Sequence, residues 1–400
     1  MSIGTLVIDT IIYESFVEID PLLWGSVVES SNRFLCLDYL AALEESHDIG
    51  LELRYVLFMC GEEPIGAAAF QITHFTTSGD AYSNPLLKGI NSIAKFFRSR
   101  HIHNILICGN AIATGEHGFT FKKGIGDKRI SLLIVGAMNQ IAKVEKRRGR
   151  KICAMVAKDF YPNSDGVVDE MSKMRFKKFQ VDHNMVMPLL PEWKTFEDYL
   201  EAMNTKFRTK AKSALKRSSE LKVQEWTPES LMGILPQLEL LYDNVYQKAD
   251  FRLGKLNVNT LPLLIRHLAT NFTLKTYSLN DEIIGFMTAM RCGEVLEAHI
   301  IGLNYDSNRN YAVYQRMLYD YVELGIQSEC KRIVFGRTAA EIKSSIGALP
   351  VDLTCGFLHQ RWISNALLSL LLQYVKPSEY PHRDPYKAHV TKKINCQPLY

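Results

Sequence analysis

The feature that most limits what this chain can fold into is an internal echo. Residues 55–73 read YVLFMCGEEPIGAAAFQIT and residues 274–290 read LKTYSLNDEIIGFMTAM. Each is an apolar strand, a polar turn, a glycine and a second apolar strand, which is the pattern of a β-hairpin. The turns are Gly61-Glu62-Glu63-Pro64 and Asn280-Asp281-Glu282, and Gly66 and Gly285 take equivalent places. The elements after each hairpin repeat as well. In the first half a strand, Asn104 to Cys108, and a long loop lead to a helix at about 128–147 and a strand at 151–157. In the second half a strand, Val295 to Gly302, and a loop, Leu303 to Asn310, lead to a helix at about 312–325 and a strand at 331–335. Hairpin, strand, helix and strand in the same order twice implies a duplicated α/β (α+β) unit with two mixed sheets.

The join is expected near 190, giving domains 1–190 and 191–400. Pro188, Pro191 and Trp193 interrupt the pattern there, and a helix opens at Thr195 with Glu197 and Asp198 in its first turn. No Gly/Ser-rich or Pro-rich linker separates the halves, so they are expected to pack together. A chain of 400 residues suits two domains. With 47% hydrophobic and 22% charged residues, a disordered chain is excluded. The formal net charge of +4 is small, so attraction to anions has to come from local clusters. The first twenty residues lack a basic segment before their apolar run, and no apolar run reaches a membrane-spanning length. The expected location is cytoplasmic, with peripheral contact at the inner membrane. The eight cysteines are scattered without a CxxC, which points to reduced thiols and to no metal site.

Three stretches narrow the fold. Asn32-Arg33-Phe34-Leu35 is followed by Tyr39-Leu40-Ala41-Ala42-Leu43-Glu44. Tyr199-Leu200 is followed by Lys206-Phe207-Arg208-Thr209-Lys210. Phe335-Gly336-Arg337-Thr338 is followed by Glu341-Ile342-Lys343 and Gly347. Together with the duplication, these resemble the tandem-GNAT group that includes the Fem-type peptidoglycan aminoacyltransferases and the acetyltransferase-like proteins labelled as peptidoglycan biosynthesis proteins. The resemblance implies the GNAT N-acyltransferase fold twice over and transfer of an acyl group to an amine, with the chemistry in the second half. One stretch departs from the pattern. Simple GNAT enzymes carry a Q/R-x-x-G-x-G/A loop whose backbone N–H groups cradle the diphosphate of coenzyme A. Here the loop reads Tyr305-Asp306-Ser307-Asn308-Arg309-Asn310-Tyr311-Ala312, without the glycines. The donor therefore stays open between acyl-CoA held differently, an acyl carrier protein and an aminoacyl-tRNA.

Within this frame, Glu297 and His299 alternate with apolar residues in VLEAHIIG and share one strand face. Attack by an amine needs a base near neutral pH, and the expectation is Glu297 as base with His299 as its partner. A polar pair lining the sheet is the plainer alternative. Arg337 and Lys343 follow the last strong strand, where a cation can hold a carboxylate or phosphate or steady an oxyanion. Tyr314 stands near a helix start, placed to protonate a leaving thiolate. Arg208, Lys212 and Lys216 belong to the basic helix KFRTKAKSALKR and, with Arg309, are candidates for donor phosphates; a solvated face is the alternative. In the first half Gly124 and Gly126, flanked by Lys122, Lys123, Lys128 and Arg129, precede a helix, and Glu116-His117 lies nearby. Two apolar stretches, 85–100 and 362–375, suggest a lipid or membrane-surface partner.

The leading functional expectation is an N-acyltransferase with a thioester donor and an amine acceptor of a lipid or envelope precursor, and with no tightly bound cofactor. The second is Fem-type transfer from aminoacyl-tRNA to a peptidoglycan precursor. The third is a non-catalytic module that binds an envelope precursor. No G-x-S-x-G motif suggests a covalent route, and DNA is not an expected partner.

Overall fold

The computed structural model describes residues 7–46, 50–75, 103–248, 253–372, 375 and 377–400. The stretch 85–100 lies outside them. The chain forms two compact units. The first takes 1–182, 250–256 and 352–378, and the second takes 183–249, 257–351 and 379–400. The change of unit therefore falls at Asp182/His183, and 352–378 returns to the first unit.

In the first unit the strands are β1 (Asp9–Tyr13), β2 (Leu51–Cys60), β3 (Glu63–Phe75), β4 (His103–Cys108), β5 (Phe119–Phe121) and β6 (Ile152–Phe160). The sheet order is β1-β2-β3-β4-β6, with β5 beside β3. All pairs are antiparallel except β4 with β6. The helix Asp127–Arg147 makes the crossover that this parallel pair requires. Ser131, Ile134, Val135, Met138, Ile141 and Glu145 form its buried stripe at helical spacing. That stripe packs on Val56, Phe58, Phe70, Leu106 and Met155 of the sheet.

The second unit repeats the plan. Its strands are β8 (Lys222–Glu225), β9 (Phe272–Leu279), β10 (Glu282–Cys292), β11 (Val295–Leu303) and β12 (Arg332–Val334). The order β8-β9-β10-β11-β12 is again antiparallel except for the β11/β12 pair, and the helix Val313–Gln327 is the crossover. Each unit then adds one antiparallel strand from the far part of the chain. In the first unit it is the Asp352–His359 part of β13 (Leu349–His359), beside β6. In the second it is the His183–Pro188 part of β7 (Lys177–Pro188), beside β12.

Local chemistry explains the equivalences seen in the sequence. Asn280 and Asp281 both take positive φ, 49° and 65°, which is the two-residue turn that matches strand twist. A Cβ on Gly66 would run into the Phe121 ring, and one on Gly285 would stand 2.6 Å from Met317 Cε. Gly66 therefore lets β5 lie close on its hairpin, and Gly285 lets the helix Val313–Gln327 lie close on the other. At the start of the second unit Thr195 caps the helix Phe196–Ala202, and Asp198 completes a reciprocal capping box. Such a cap contributes about 1 kcal/mol.

Candidate active site

The parallel strands β11 and β12 share only three rungs: Val295 with Arg332, Leu296 with Ile333 and Glu297 with Val334. Beyond Glu297 they part. β11 continues to Leu303 beside β10. After β12 the chain stays with β7, with Phe335 N donating to Met185 O at 2.8 Å and Met185 N to Gly336 O at 3.2 Å. The result is a fork, and Glu297 sits at its apex.

The β10/β11 register slips between Met287 and Ala289, so that His299 and Ile300 together oppose Thr288. This is a β-bulge, which re-aims a side chain. Thr288 Oγ1 accepts from Ile300 N at 2.9 Å, donates to Ile300 O at 3.1 Å and lies 3.4 Å from His299 Nδ1. Leu296, Ala298, Ile301 and Leu303 pack in the core beneath the helix Val313–Gln327. Glu297, His299 and Ile300 are therefore turned to the opposite face. Gly302 shows what covers that face: a Cβ there would stand 2.8 Å from Leu241 of the helix Leu235–Lys248. Glu297 and His299 thus share a face, and the bulge returns Ile301 and Leu303 to the core side.

Glu297 is 8% exposed. Burial pushes its carboxyl up to about 8, against a partial pull downward from the Arg332 guanidinium. His299 keeps some exposed surface, but its Nε2 is buried, and desolvation lowers it to about 4. Its ring meets Phe272 edge-on at 6.0 Å. Near pH 7 this face holds a neutral imidazole and a carboxyl poised to ionise. The sequence reading missed both Arg332 and Thr288. The only signal for Arg332 was a basic pair, Lys331-Arg332, just before an apolar strand.

The remaining candidates fall elsewhere. Tyr314 belongs to the opposite face, packed with the core under the helix Val313–Gln327. Burial and the neighbouring Tyr305 keep its phenol protonated. Further along that helix, Tyr321 donates to Thr288 O at 2.9 Å. Lys343 is buried, and burial brings its ammonium down to about 7. Its Nζ donates to Phe335 O at 2.7 Å and Gly336 O at 3.2 Å, so it fastens the end of β12 and is not an open cation. Arg337 follows directly, half-buried, with Nε and one Nη enclosed.

The expected loop after β11 is not a loop. Tyr305–Tyr311 is a short helix, ended by Ala312 in the left-handed region at φ 51°. Asn304 caps its first N–H groups, and Asn308 Oδ1 takes the N–H of Tyr314 at 2.8 Å. Where a diphosphate cradle would need free amides, those of Asp306, Ser307 and Tyr314 are already taken by Asn304 and Asn308. Arg217 holds this helix by donating to the carbonyls of Arg309 and Asn310. The exposed Arg309 side chain lies on the same short helix. On the basic helix Thr205–Arg217, Lys212 pairs with Glu197 at 3.3 Å, Arg208 is half-buried, and Lys206, Lys210 and Lys216 are exposed.

The first unit carries a fork in the same place with different contents. Cys108 is the last β4 residue paired with β6, opposite Ala157. The chain then leaves the sheet for residues 109–118 and re-enters as β5. That excursion is pinned within the unit. Lys158 Nζ donates to Ala113 O at 2.7 Å and pairs with Asp159. Gly115 N reaches Asp159 Oδ2 at 3.1 Å, and Ala111 N reaches Gln71 Oε1 at 2.7 Å. Of the Glu116-His117 pair, Glu116 accepts from Tyr161 N at 3.3 Å, while His117 stacks on Phe34 at 3.9 Å. Gly126 precedes the helix Asp127–Arg147 in extended form, and Gly124 has φ 95°. Asp127, at the first helical position, already places a carboxylate at that terminus.

No protein-family model matches the sequence, and no curated protein matches it. Solved structures do. FemX aligns at TM-score 0.52 and 11% identity, over 91% of this chain and 100% of that one. A tandem GNAT protein from the clavulanic acid biosynthesis pathway, solved without AcCoA, aligns at TM-score 0.51 and 8% identity, over 88% and 98%. At such identities the likeness speaks for the fold, and it agrees with the repeated strand order: the chain has the tandem GNAT fold, shared with FemX over nearly its whole length.

Proposed function

We propose that the chain is an N-acyltransferase whose second unit moves an acyl group from a thioester to an amine. The observation that carries this is the buried Glu297 carboxyl at the apex of the β11/β12 fork, held near neutral titration. An amine acceptor enters as an ammonium. Glu297 takes its proton, the nitrogen attacks the thioester carbonyl, a C–N bond forms and the C–S bond breaks. The neutral His299 lies beside the base and adds no competing positive charge. The second proton of the attacking nitrogen goes to the departing thiolate, and Tyr314, packed on the other face with its phenol held protonated by burial, takes no part in this step. Arg337 beyond β12 is the candidate for steadying the tetrahedral oxyanion. The donor is acyl-CoA or an acylated carrier protein, and the acceptor is an amino group of a lipid or envelope precursor.

A second reading has its own support. The self-capped helix Tyr305–Tyr311 and the exposed Lys206, Lys210 and Lys216 favour a donor recognised through a polyanionic carrier, as in transfer from aminoacyl-tRNA. The test is a transfer assay with acyl-CoA, acyl carrier protein and aminoacyl-tRNA as separate donors. Product from a thioester donor, abolished by Glu297→Gln, supports the first reading. Product from the tRNA donor alone, falling steeply with salt, supports the second. Binding of an envelope precursor with no transfer from any donor would leave a binding module.

A further inference from the structure

Three large apolar side chains are exposed close together on one helix of the first unit, Trp362–Leu372. Trp362 is 71% exposed, Ile363 57% and Leu367 45%, and Ala366 between them is exposed as well. At 100° per residue these four occupy one continuous face. The opposite face is anchored. Leu368 and Leu372 are buried, and the buried Asn365 accepts from His359 N at 2.9 Å and donates to Arg175 O at 3.0 Å. The helix is therefore held firmly in an orientation that keeps its apolar stripe in water. An unpartnered patch of this kind marks an interaction surface.

The charges around it indicate the partner. Arg361 immediately precedes the helix and is exposed. Arg175, whose carbonyl Asn365 holds, is exposed as well. An exposed arginine thus adjoins the tryptophan end of the apolar stripe, and a second stands at the segment to which Asn365 fastens the helix. A tryptophan with cations at one margin suits the boundary between acyl chains and anionic headgroups. We infer that the Trp362–Leu367 face docks the protein on an anionic lipid bilayer, with Trp362, Ile363 and Leu367 entering the acyl boundary and Arg361 and Arg175 meeting lipid phosphates.

This inference is tested without any transfer assay. The full chain is floated with vesicles of phosphatidylglycerol and phosphatidylcholine, and with phosphatidylcholine alone, while tryptophan emission is followed. The inference expects binding to the anionic vesicles with a blue shift that Trp362→Phe removes. Raised salt should weaken binding, and Ile363→Asp/Leu367→Asp should lower it at least tenfold. Both positions are exposed, so circular dichroism of the double variant should match the parent, and Ile363→Ala/Leu367→Ala provides a milder pair. Absence of vesicle binding would overturn the inference, as would binding that survives the double variant or a parent dimer that the double variant dissolves.

Discussion

Glu297 and Cys108 hold the same place in the two units: each is the last residue of its strand to pair with the parallel neighbour before the strands part. The duplication therefore kept one framework and varied what stands at its apex. In the second unit that residue is a carboxyl, and the strand runs on with only a bulge. In the first it is a fully buried thiol, pushed far up by burial, followed by an excursion that the unit uses for its own hydrogen bonds. The proposed transfer chemistry accordingly rests on the second unit.

That assignment makes Cys108 dispensable. Cys108→Ala should leave the transfer rate within about twofold while costing roughly 1 kcal/mol of stability, as small core truncations do. Steady-state rates and a denaturant melt measure both. A large rate loss in a variant of normal stability would bring the first unit back into the chemistry.

The excursion itself should be intolerant of change. Lys158→Met leaves the buried Asp159 carboxylate without its ammonium, at a cost of about 3–5 kcal/mol. Gly118→Ala places a Cβ 2.7 Å from Gly109 N, against backbone that cannot easily give way. Both should lower the thermal midpoint, and neither should alter the pH dependence of transfer.

Stability should depend on pH through the fork. The carboxyl of Glu297 is raised in the folded state, so the folded protein binds the proton more tightly and loses stability as pH climbs from about 4.5 to about 8. Glu297→Gln removes that loss. It should gain stability over the parent progressively across this window, with a ceiling of about 5 kcal/mol. For His299 the shift is downward, so its contribution is present above about 6.5 and is lost as pH falls toward about 4. His299→Gln should flatten the acid side of the curve. Denaturant melts across pH read both effects.

Asn308 and Arg217 hold the short helix where a diphosphate cradle would otherwise be. Asn308→Ala removes the bond to Tyr314 N, a loss of about 1 kcal/mol, and Arg217→Ala frees the carbonyls of Arg309 and Asn310. If the donor is recognised elsewhere, as the self-capped amides suggest, donor KM should stay within about threefold in both variants. A rise of tenfold or more would place donor phosphate at this helix.

Much of this arrangement was legible in the residues. The hairpins, the crossover helices and the Thr195 start follow from periodicity, turn residues and capping, which act over a few positions. The shared face of Glu297 and His299 was legible for the same reason. The bulge opposite Thr288 was not, because a register slip depends on how two strands meet and not on either one alone. The helix Tyr305–Tyr311 hid behind polar residues that suit a loop equally well, and its ends are settled by Asn304, Asn308 and the distant Arg217. Lys343 looked like an open cation because sequence shows charge but not burial. The return of 352–378 to the first unit is a long-range event that no local pattern announces.

The most direct test of the central claim is the pH dependence of kcat/KM for transfer from a thioester donor, measured for the parent, Arg332→Gln and Glu297→Gln. With Glu297 as base, log kcat/KM rises with unit slope and levels off above about 8. Loss of the Arg332 cation should move that bend to higher pH, and Glu297→Gln should lower the plateau by about 10²–10⁴-fold and erase the bend. A profile that keeps its bend and most of its rate in Glu297→Gln would contradict the account.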